Sequence, residues 1–129
     1  MSAPRYAVYL APAPTSPLWR IASRIIGRDA ATGESLPFPA APPCDADDWA
    51  ELTAEPRRYG FHATLKAPFE LTEEADEAML VETARGFAEG RAGFVVADLE
   101  VAVLSSFVAL RPAAPNGALD RLAADCVVA

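Results

Sequence analysis

The chain has 129 residues, of which 52% are hydrophobic and 22% are charged, and this is the composition of one folded globular domain. It contains no run of about 18 apolar residues, so the sequence argues against a segment that spans a membrane. The formal net charge of −7 argues against non-specific binding to nucleic acid, which needs clustered lysines and arginines. Cys44 and Cys126 follow no metal-ligand spacing and predict free thiols in a cytoplasmic protein, with a disulfide as the alternative.

The first predicted elements are a strand over residues 5–10 and a helix that begins after Ser16. The strand segment is too short for a signal peptide and lacks the basic leader of one. Ser16 is the expected N-cap of the helix, Pro17 suits its first position, and Gly27 suits its end. Helical spacing predicts that one apolar stripe faces inward: Leu18, Ile21, Ala22, Ile25 and Ile26.

The middle of the chain is predicted to be a long connection followed by a second strand. Residues 28–56 are proline-rich and are expected to be irregular, except for a short helical turn capped by Asp45 or Asp47. A connection of this length either forms a wall of a binding cleft or is a passive surface loop. The alternation of side chains predicts a strand over residues 58–66, and Pro68 is expected to end its pairing.

The remaining elements are predicted to be two helices with a pair of strands between them. The first of these helices is expected to run from Thr72 to about Gly90, with acidic residues at its positive N-terminal end. Strands are expected over residues 94–104 and 107–110, and the last helix is expected to begin at Asn116. This order predicts an α+β fold in which a mostly antiparallel sheet has helices packed on one face.

The strand predicted over residues 58–66 carries the only histidine and the only lysine of the chain. Side chains on a strand alternate between two faces, so His62, Thr64 and Lys66 are expected to share one face. An acid/base group, a hydroxyl and a cation in one row suit the binding and chemistry of a phosphate group. The ordinary alternatives are a structural histidine, a β-branched strand residue and a solvated lysine.

Three further residues are candidates for substrate binding. Arg58 has the same parity as His62 in the predicted strand. Tyr9 lies on the opposite face of the first strand from Tyr6, where its ring could stack on a base or a sugar. Arg111, near the end of the last predicted strand, is a further candidate for the cleft. Each of the three also has an ordinary interpretation as a surface charge or a half-buried tyrosine.

The sequence predicts neither a metal site nor a cofactor site. Asp45, Asp47 and Asp48 lack the glycine and the closing glutamate of a calcium loop, so they are better explained as helix-capping and solubilising residues. Serine nucleophile motifs, glycine-rich phosphate loops and zinc spacings are missing from the sequence.

The string YGFHATLKAPF at residues 59–69, with the first strand ahead of it, resembles the two-histidine phosphoesterase superfamily. Within that superfamily it is most similar to the branch associated with phosphonate-metabolism operons. The motif of the superfamily is a histidine, an apolar residue, a threonine or serine, and another apolar residue, and residues 62–65 match it. The resemblance implies a fold of two similar lobes, with one motif from each lobe facing across a cleft.

The resemblance also implies a chemistry that uses neither a metal nor an organic cofactor. Two histidines act as general acid and general base on a phosphodiester, often a cyclic one, and two hydroxyls hold its phosphate oxygens. His62 and Thr64 would form half of this site, while Lys66 and one arginine would neutralise charge on the phosphate. The implied substrate is a small phosphodiester or a nucleotide-like molecule.

The chain departs from the superfamily pattern because it has one histidine and therefore one motif. The last predicted helix stops at residue 129 without the usual signals of a helix end, so residues 1–129 are interpreted as a single lobe with a second lobe expected beyond them. Alternatively, a homodimer brings two copies of His62 together, or the protein binds phosphate without turnover. The chain alone is expected to be inactive unless it dimerises. The alternative functions are a non-catalytic phosphate- or nucleotide-binding module and a purely structural domain.

Overall fold

The computed structural model describes residues 2–39 and 44–129. Within these ranges the strands and helices run in the order β1 Arg5–Leu10, α1 Pro17–Ile26, α2 Ala46–Leu52, α3 Ala54–Tyr59, β2 Ala63–Glu70, α4 Glu77–Glu89, β3 Leu99–Leu104, β4 Phe107–Pro112 and α5 Gly117–Val128. The predicted α+β class is confirmed. The four strands were expected in one sheet, but they form two separate pairs, β1 with β2 and β3 with β4.

The chain divides into two compact units. One unit, called here the histidine unit, is Tyr9–Thr64, and it contains α1, α2 and α3. The other, called here the hairpin unit, combines the stretch that ends at Val8 with Leu65–Ala129. The single lobe predicted for residues 1–129 stays a prediction.

Helix α1 begins and ends at the predicted residues because its two caps are local. The Ser16 hydroxyl accepts a hydrogen bond from the backbone N–H of Trp19 at 3.2 Å, and Pro17 occupies the first turn. Gly27 ends the helix in the left-handed conformation, with φ at +92°, and its N–H donates to the carbonyl of Ser23 at 2.8 Å. Both predicted ends are confirmed.

The buried face of α1 is rotated from the predicted stripe. Trp19, Ala22, Ser23 and Ile26 are buried, whereas Leu18, Ile21 and Ile25 are exposed. Both sets of residues follow helical spacing, and the buried set contains the bulky indole of Trp19, which removes more apolar surface from water than any aliphatic side chain. The prediction was wrong for Leu18, Ile21 and Ile25 because it left the tryptophan out.

The connection between α1 and β2 contains more helix than the sequence predicted. The Asp45 carboxylate accepts from the backbone N–H of Asp48 at 2.9 Å and caps α2, as expected. Residues 40–43 of this connection lie outside the described residues. Helix α3 was not predicted, and it takes up the first residues of the strand expected over 58–66. That strand, β2, begins only at Ala63.

Long-range hydrogen bonds of two arginines stabilise α3. The Arg57 guanidinium donates to the carbonyl of Ile26 at 3.2 Å and to the hydroxyl of Thr53 at 2.7 Å. The Arg28 guanidinium donates to the carbonyls of Arg57 and Arg58, at 3.3 and 3.2 Å. Cations at the carboxyl end of a helix are favourable because its last carbonyls carry partial negative charge. Apart from Thr53, which is four positions from Arg57, these partners are 29 to 31 positions apart in sequence, so no local pattern predicts them.

Strand β2 runs through Pro68 and ends at Glu70, so the prediction that Pro68 ends the pairing was wrong. In a two-stranded sheet each strand has one edge without a partner strand. A proline, which has no N–H to donate, is tolerated where its nitrogen faces that edge.

Helix α4 begins later than predicted. Its first residue is Glu77, and the carboxylate of Asp76 caps it by accepting from the backbone N–H of Met79 at 2.9 Å. The predicted start at Thr72 was therefore wrong, because the aspartate is the residue whose side chain reaches a free N–H of the first turn. The Tyr6 hydroxyl donates to the Glu77 carboxylate at 3.3 Å. Desolvation of the phenol and the charge of Glu77 raise the pKa of Tyr6 above its ordinary value.

The hairpin of β3 and β4 is antiparallel, as predicted, and it starts at residue 99 instead of 94. Cross-strand partners on one face are all apolar, and most of them are exposed: Leu99, Val101, Val103, Val108 and Leu110. A two-stranded hairpin has little stability by itself, and this face leaves much of its apolar surface in contact with water.

The apolar sides of α4, α5 and β2 surround an open cavity of about 650 Å³ in the hairpin unit. Phe69 of β2, Leu80 and Phe87 of α4, and Leu122 of α5 line it. Cys126 of α5 also lines the cavity and is buried, and both it and Cys44 are free cysteines, as predicted. Helix α5 follows Asn116, whose side chain accepts from the backbone N–H of Leu119 at 3.0 Å, so its predicted start is confirmed.

Candidate active site

His62 lies between α3 and β2, one residue before the strand begins, and its side chain is half-buried. Its Nδ1 is 2.9 Å from the carbonyl oxygen of Gly60. A carbonyl can only accept a hydrogen bond, so this contact requires the proton on Nδ1. In the neutral ring the lone pair is then on Nε2. Nε2 is therefore the atom of His62 that can take up and release a proton.

The ring of Tyr9 lies against the imidazole of His62. The two ring centroids are 3.9 Å apart and the planes are inclined by 25°, so the rings are stacked. Both residues belong to the histidine unit. The sequence made Tyr9 a candidate for stacking on a base or a sugar, with an ordinary half-buried tyrosine as the alternative. The structure places its ring on the candidate catalytic side chain.

Gly60 makes the turn that connects α3 to His62. Its φ of +81° and ψ of −177° lie in a region that is essentially reserved for glycine. Its N–H donates to the carbonyl of Pro56 at 2.8 Å and closes α3, while its own carbonyl accepts from His62. Sequence reasoning missed Gly60 as a functional residue. The signal was present in the segment Arg57-Arg58-Tyr59-Gly60, because basic residues in the last turn followed by a glycine are typical of a helix end.

Thr64 and Arg58 also belong to the histidine unit. Thr64 is an exposed residue of β2, so a ligand can reach its hydroxyl. Arg58 is in α3, so the strand parity that related it to His62 was wrong. Its guanidinium is 5.7 Å from the ring centroid of Tyr59, and that ring is 6.3 Å from the imidazole of His62. The ring of Tyr59 therefore lies near both the Arg58 guanidinium and the His62 imidazole. Tyr59 was not among the candidate residues selected from the sequence.

Lys66 belongs to the hairpin unit, where its ammonium group binds three backbone carbonyls within residues 126–129. Nζ donates to the carbonyls of Cys126, Val127 and Ala129, at 3.2, 3.0 and 3.3 Å. A charged donor forms stronger hydrogen bonds with carbonyl oxygens than a neutral donor does. This arrangement gives Lys66 a structural role that the sequence did not predict.

Replacing Lys66 with methionine is expected to lower the free energy of unfolding by about 1–2 kcal/mol, because the variant keeps the apolar stem and loses the charged donor. Urea unfolding of both proteins measures the difference. Arg85→Met is the matched control, since Arg85 pairs with exposed Glu82 on its own helix, at 2.9 Å, and such pairs contribute less than about 1 kcal/mol. Unchanged stability in Lys66→Met together with a raised KM would instead support the phosphate contact predicted from the sequence.

Arg111 pairs with a residue directly opposite it in the β3–β4 hairpin. Its Nε donates to the Glu100 carboxylate at 2.8 Å, and the two residues are register partners. Cross-strand pairs of opposite charge contribute a few tenths of a kcal/mol to about 1 kcal/mol. The pairing gives Arg111 a role within the hairpin, and its predicted role in substrate binding stays a prediction.

In residues 2–39 and 44–129, no group of three or more histidine, cysteine, aspartate or glutamate side chains is arranged to hold a metal ion. None of the helices in the described part of the chain combines the length and the hydropathy needed to cross a membrane.

Two curated relatives match nearly the whole chain. A ribose 1,5-bisphosphate phosphokinase PhnN of Laribacter hongkongensis (strain HLHK9) is 42% identical over 125 residues, which are 97% of this chain and 30% of that protein. A protein of the same name from Janthinobacterium sp. (strain Marseille) is 38% identical over 123 residues, which are 95% of this chain and 27% of that protein. The chain thus spans less than a third of the length of these relatives. No solved structure matches it.

A protein-family model matches residues 64–129, just over half of the chain. The match begins at Thr64, two residues after His62, and it includes β3, β4, α4 and α5. On this match the chain belongs to the family described as "Protein of unknown function (DUF1045)".

Proposed function

We propose that this chain supplies one half of a metal-free, two-histidine active site that hydrolyses a small cyclic phosphodiester in phosphonate metabolism. The observation that carries the proposal is the hydrogen bond from His62 Nδ1 to the Gly60 carbonyl, which leaves Nε2 as the proton-transferring atom. The exposed hydroxyl of Thr64, two residues further along, supports it, because a hydroxyl can donate to a non-bridging phosphate oxygen.

The hydrogen bond to Gly60 suits a histidine that changes its protonation state during turnover. Nδ1 carries a proton in the neutral tautomer that this bond selects and also in the imidazolium ion, so the ring keeps its orientation while Nε2 gains or loses a proton. In the hydrolysis of a cyclic ester, one histidine takes a proton from the attacking water. The other histidine gives a proton to the leaving alkoxide as the ring of the ester opens.

The second histidine of this mechanism must come from outside these 129 residues, because His62 is the only one in the chain. We place it either in a second lobe of the complete protein or in a second copy of this chain. The relatives extend far beyond the matched segment, which supports the first arrangement.

The name of the relatives supports a phosphorylated ribose as the substrate class. We therefore propose a cyclic ester of ribose phosphate as the first substrate to test. The phosphokinase activity in that name is not assigned to these residues. The glycine-rich loop that binds a nucleoside triphosphate has a glycine before its lysine, whereas the only lysine of this chain follows a leucine. Two free cysteines support a cytoplasmic setting.

The decisive test is hydrolysis by the complete natural protein that carries this sequence. It should be assayed on a panel of five- and six-membered cyclic phosphates of ribose and of nucleosides, with and without a chelator. We expect turnover of at least one member, unchanged by the chelator. The proposal fails if no member is hydrolysed, or if the chelator abolishes the activity.

A non-catalytic phosphate- or nucleotide-binding module is the second candidate function. The observation that favours it is the exposed guanidinium of Arg58 beside the exposed ring of Tyr59. The cation can hold a phosphate, and the ring face that Arg58 leaves uncovered can stack on a base, without any proton transfer. Calorimetry with the same panel distinguishes the two candidates. Binding that is unaffected by removal of the His62 imidazole, with no turnover, favours the binding module.

A further inference from the structure

We infer that Tyr9 is a positioning residue, whose ring fixes the plane of the His62 imidazole, and that the ring face turned to the imidazole does not stack on the substrate. The inference rests on the proposed function of His62 as an acid/base group. It reassigns Tyr9 from substrate binding, which its place on the first strand suggested, to the support of the catalytic side chain.

Two contacts with different geometry hold the imidazole. The hydrogen bond from Nδ1 to the Gly60 carbonyl fixes one corner of the ring, at 2.9 Å, but it leaves the ring free to tilt about that corner. The Tyr9 ring, with its centroid 3.9 Å away and its plane inclined by 25°, blocks the tilt on one side. Together the two contacts set the direction of the Nε2 lone pair, and a misdirected acid/base group can lose about a hundredfold in rate.

The same distance excludes a substrate from the space between the two rings. Aromatic pairs usually have centroids about 4.5–7 Å apart, so a separation of 3.9 Å means that the rings overlap closely. A planar base inserted between them needs about 7 Å, which is twice the contact distance of two carbon atoms. The face of Tyr9 that meets His62 is therefore not available to a ligand.

The nearest comparable tyrosine makes a different contact. The ring of Tyr59 is 6.3 Å from the imidazole and inclined by 57°, so it touches the histidine at an angle and does not cover its face. Of these two tyrosines, Tyr9 is the one that restrains the plane of His62. The contact is made by the ring, so the phenol oxygen is not needed for it.

The stacking can be measured without substrate in the complete protein, where the imidazole proton signals of His62 are identified as those absent from the spectrum of His62→Asn. The ring current of Tyr9 should move the signals of His62 upfield in the wild-type protein and in Tyr9→Phe, which keeps the ring. In Tyr9→Leu, which keeps apolar bulk, the signals should move downfield toward their positions in an unfolded peptide. Tyr6→Leu is the matched control on the same strand, since Tyr6 contacts Glu77 and Phe69, and it should leave the signals unchanged. Unchanged signals in Tyr9→Leu would overturn the inference.

Kinetics of the complete protein then separate positioning from substrate binding. Tyr9→Leu should lower kcat by roughly ten- to a hundredfold with KM unchanged, and Tyr9→Phe should restore kcat. A raised KM with unchanged kcat in Tyr9→Leu would make Tyr9 a substrate-binding residue and overturn the inference. If the wild-type protein turns over and Tyr9→Leu is fully active, the inference alone fails. If no His62-dependent turnover exists, the proposed function fails and the positioning role fails with it.

Discussion

Replacing His62 with asparagine is expected to lower kcat on a cyclic phosphodiester by about 10²–10⁴-fold in the complete protein. The amide nitrogen of asparagine can occupy the place of Nδ1 and donate to the Gly60 carbonyl. The amide cannot act as a general acid or a general base near neutral pH. The variant therefore keeps the hydrogen bond of the histidine and removes the acid/base group together with the ring that stacks on Tyr9. Initial rates at saturating substrate measure the effect. Full wild-type activity in His62→Asn, on every substrate that the wild type hydrolyses, would contradict the proposed function.

Stability measurements show whether a loss of activity in the His62 variants is chemical or structural. His62 is half-buried, and its main contacts are the hydrogen bond to Gly60 and the stack on Tyr9. His62→Asn should unfold within about 1 kcal/mol of the wild type, because it retains the hydrogen bond. His62→Ala loses both contacts and should be less stable than His62→Asn, with an equally low kcat. If a variant unfolds cooperatively near the wild-type temperature and is inactive, the substitution has removed a catalytic group without disrupting the fold.

The helix ends were predictable from the sequence because capping is a local interaction. Ser16, Asp45 and Asn116 each accept a hydrogen bond from the backbone N–H three residues later. The information needed to place such a cap is contained in four consecutive residues. Where two acidic or hydroxyl residues competed, as at Thr72 and Asp76, the sequence alone selected the wrong one.

The elements around the candidate site were not predictable, because long-range contacts decide them. The alternation that predicted a strand from residue 58 is overruled by α3, whose carboxyl end is bound by Arg28 from 29 and 30 positions away. Alternation in a strand indicates which residues share a face, but it does not indicate which residue of another strand lies opposite. The stack of Tyr9 on His62 and the binding of Lys66 to α5 both depend on such partners.

Replacing Gly60 with alanine is expected to lower the free energy of unfolding by about 3 kcal/mol or more, for two separate reasons. The backbone conformation of Gly60, with φ at +81° and ψ at −177°, costs an alanine about 1–3 kcal/mol. A Cβ at this position would also overlap the Cβ of Ala30, a short side chain that cannot move aside. The strained turn carries the carbonyl that holds His62, so kcat should fall together with stability.

Two further variants separate the backbone strain of Gly60→Ala from the overlap with Ala30. Gly33→Ala introduces a side chain at nearly the same φ, +80°, with no atom within 4 Å, so it should cost only what a positive φ costs an alanine. Ala30→Gly in the Gly60→Ala background removes the atom that would be overlapped and should recover the remaining loss. Urea unfolding of the four proteins gives both differences. If Ala30→Gly recovers no stability in the Gly60→Ala background, Ala30 does not pack against the turn, and the predicted overlap is wrong.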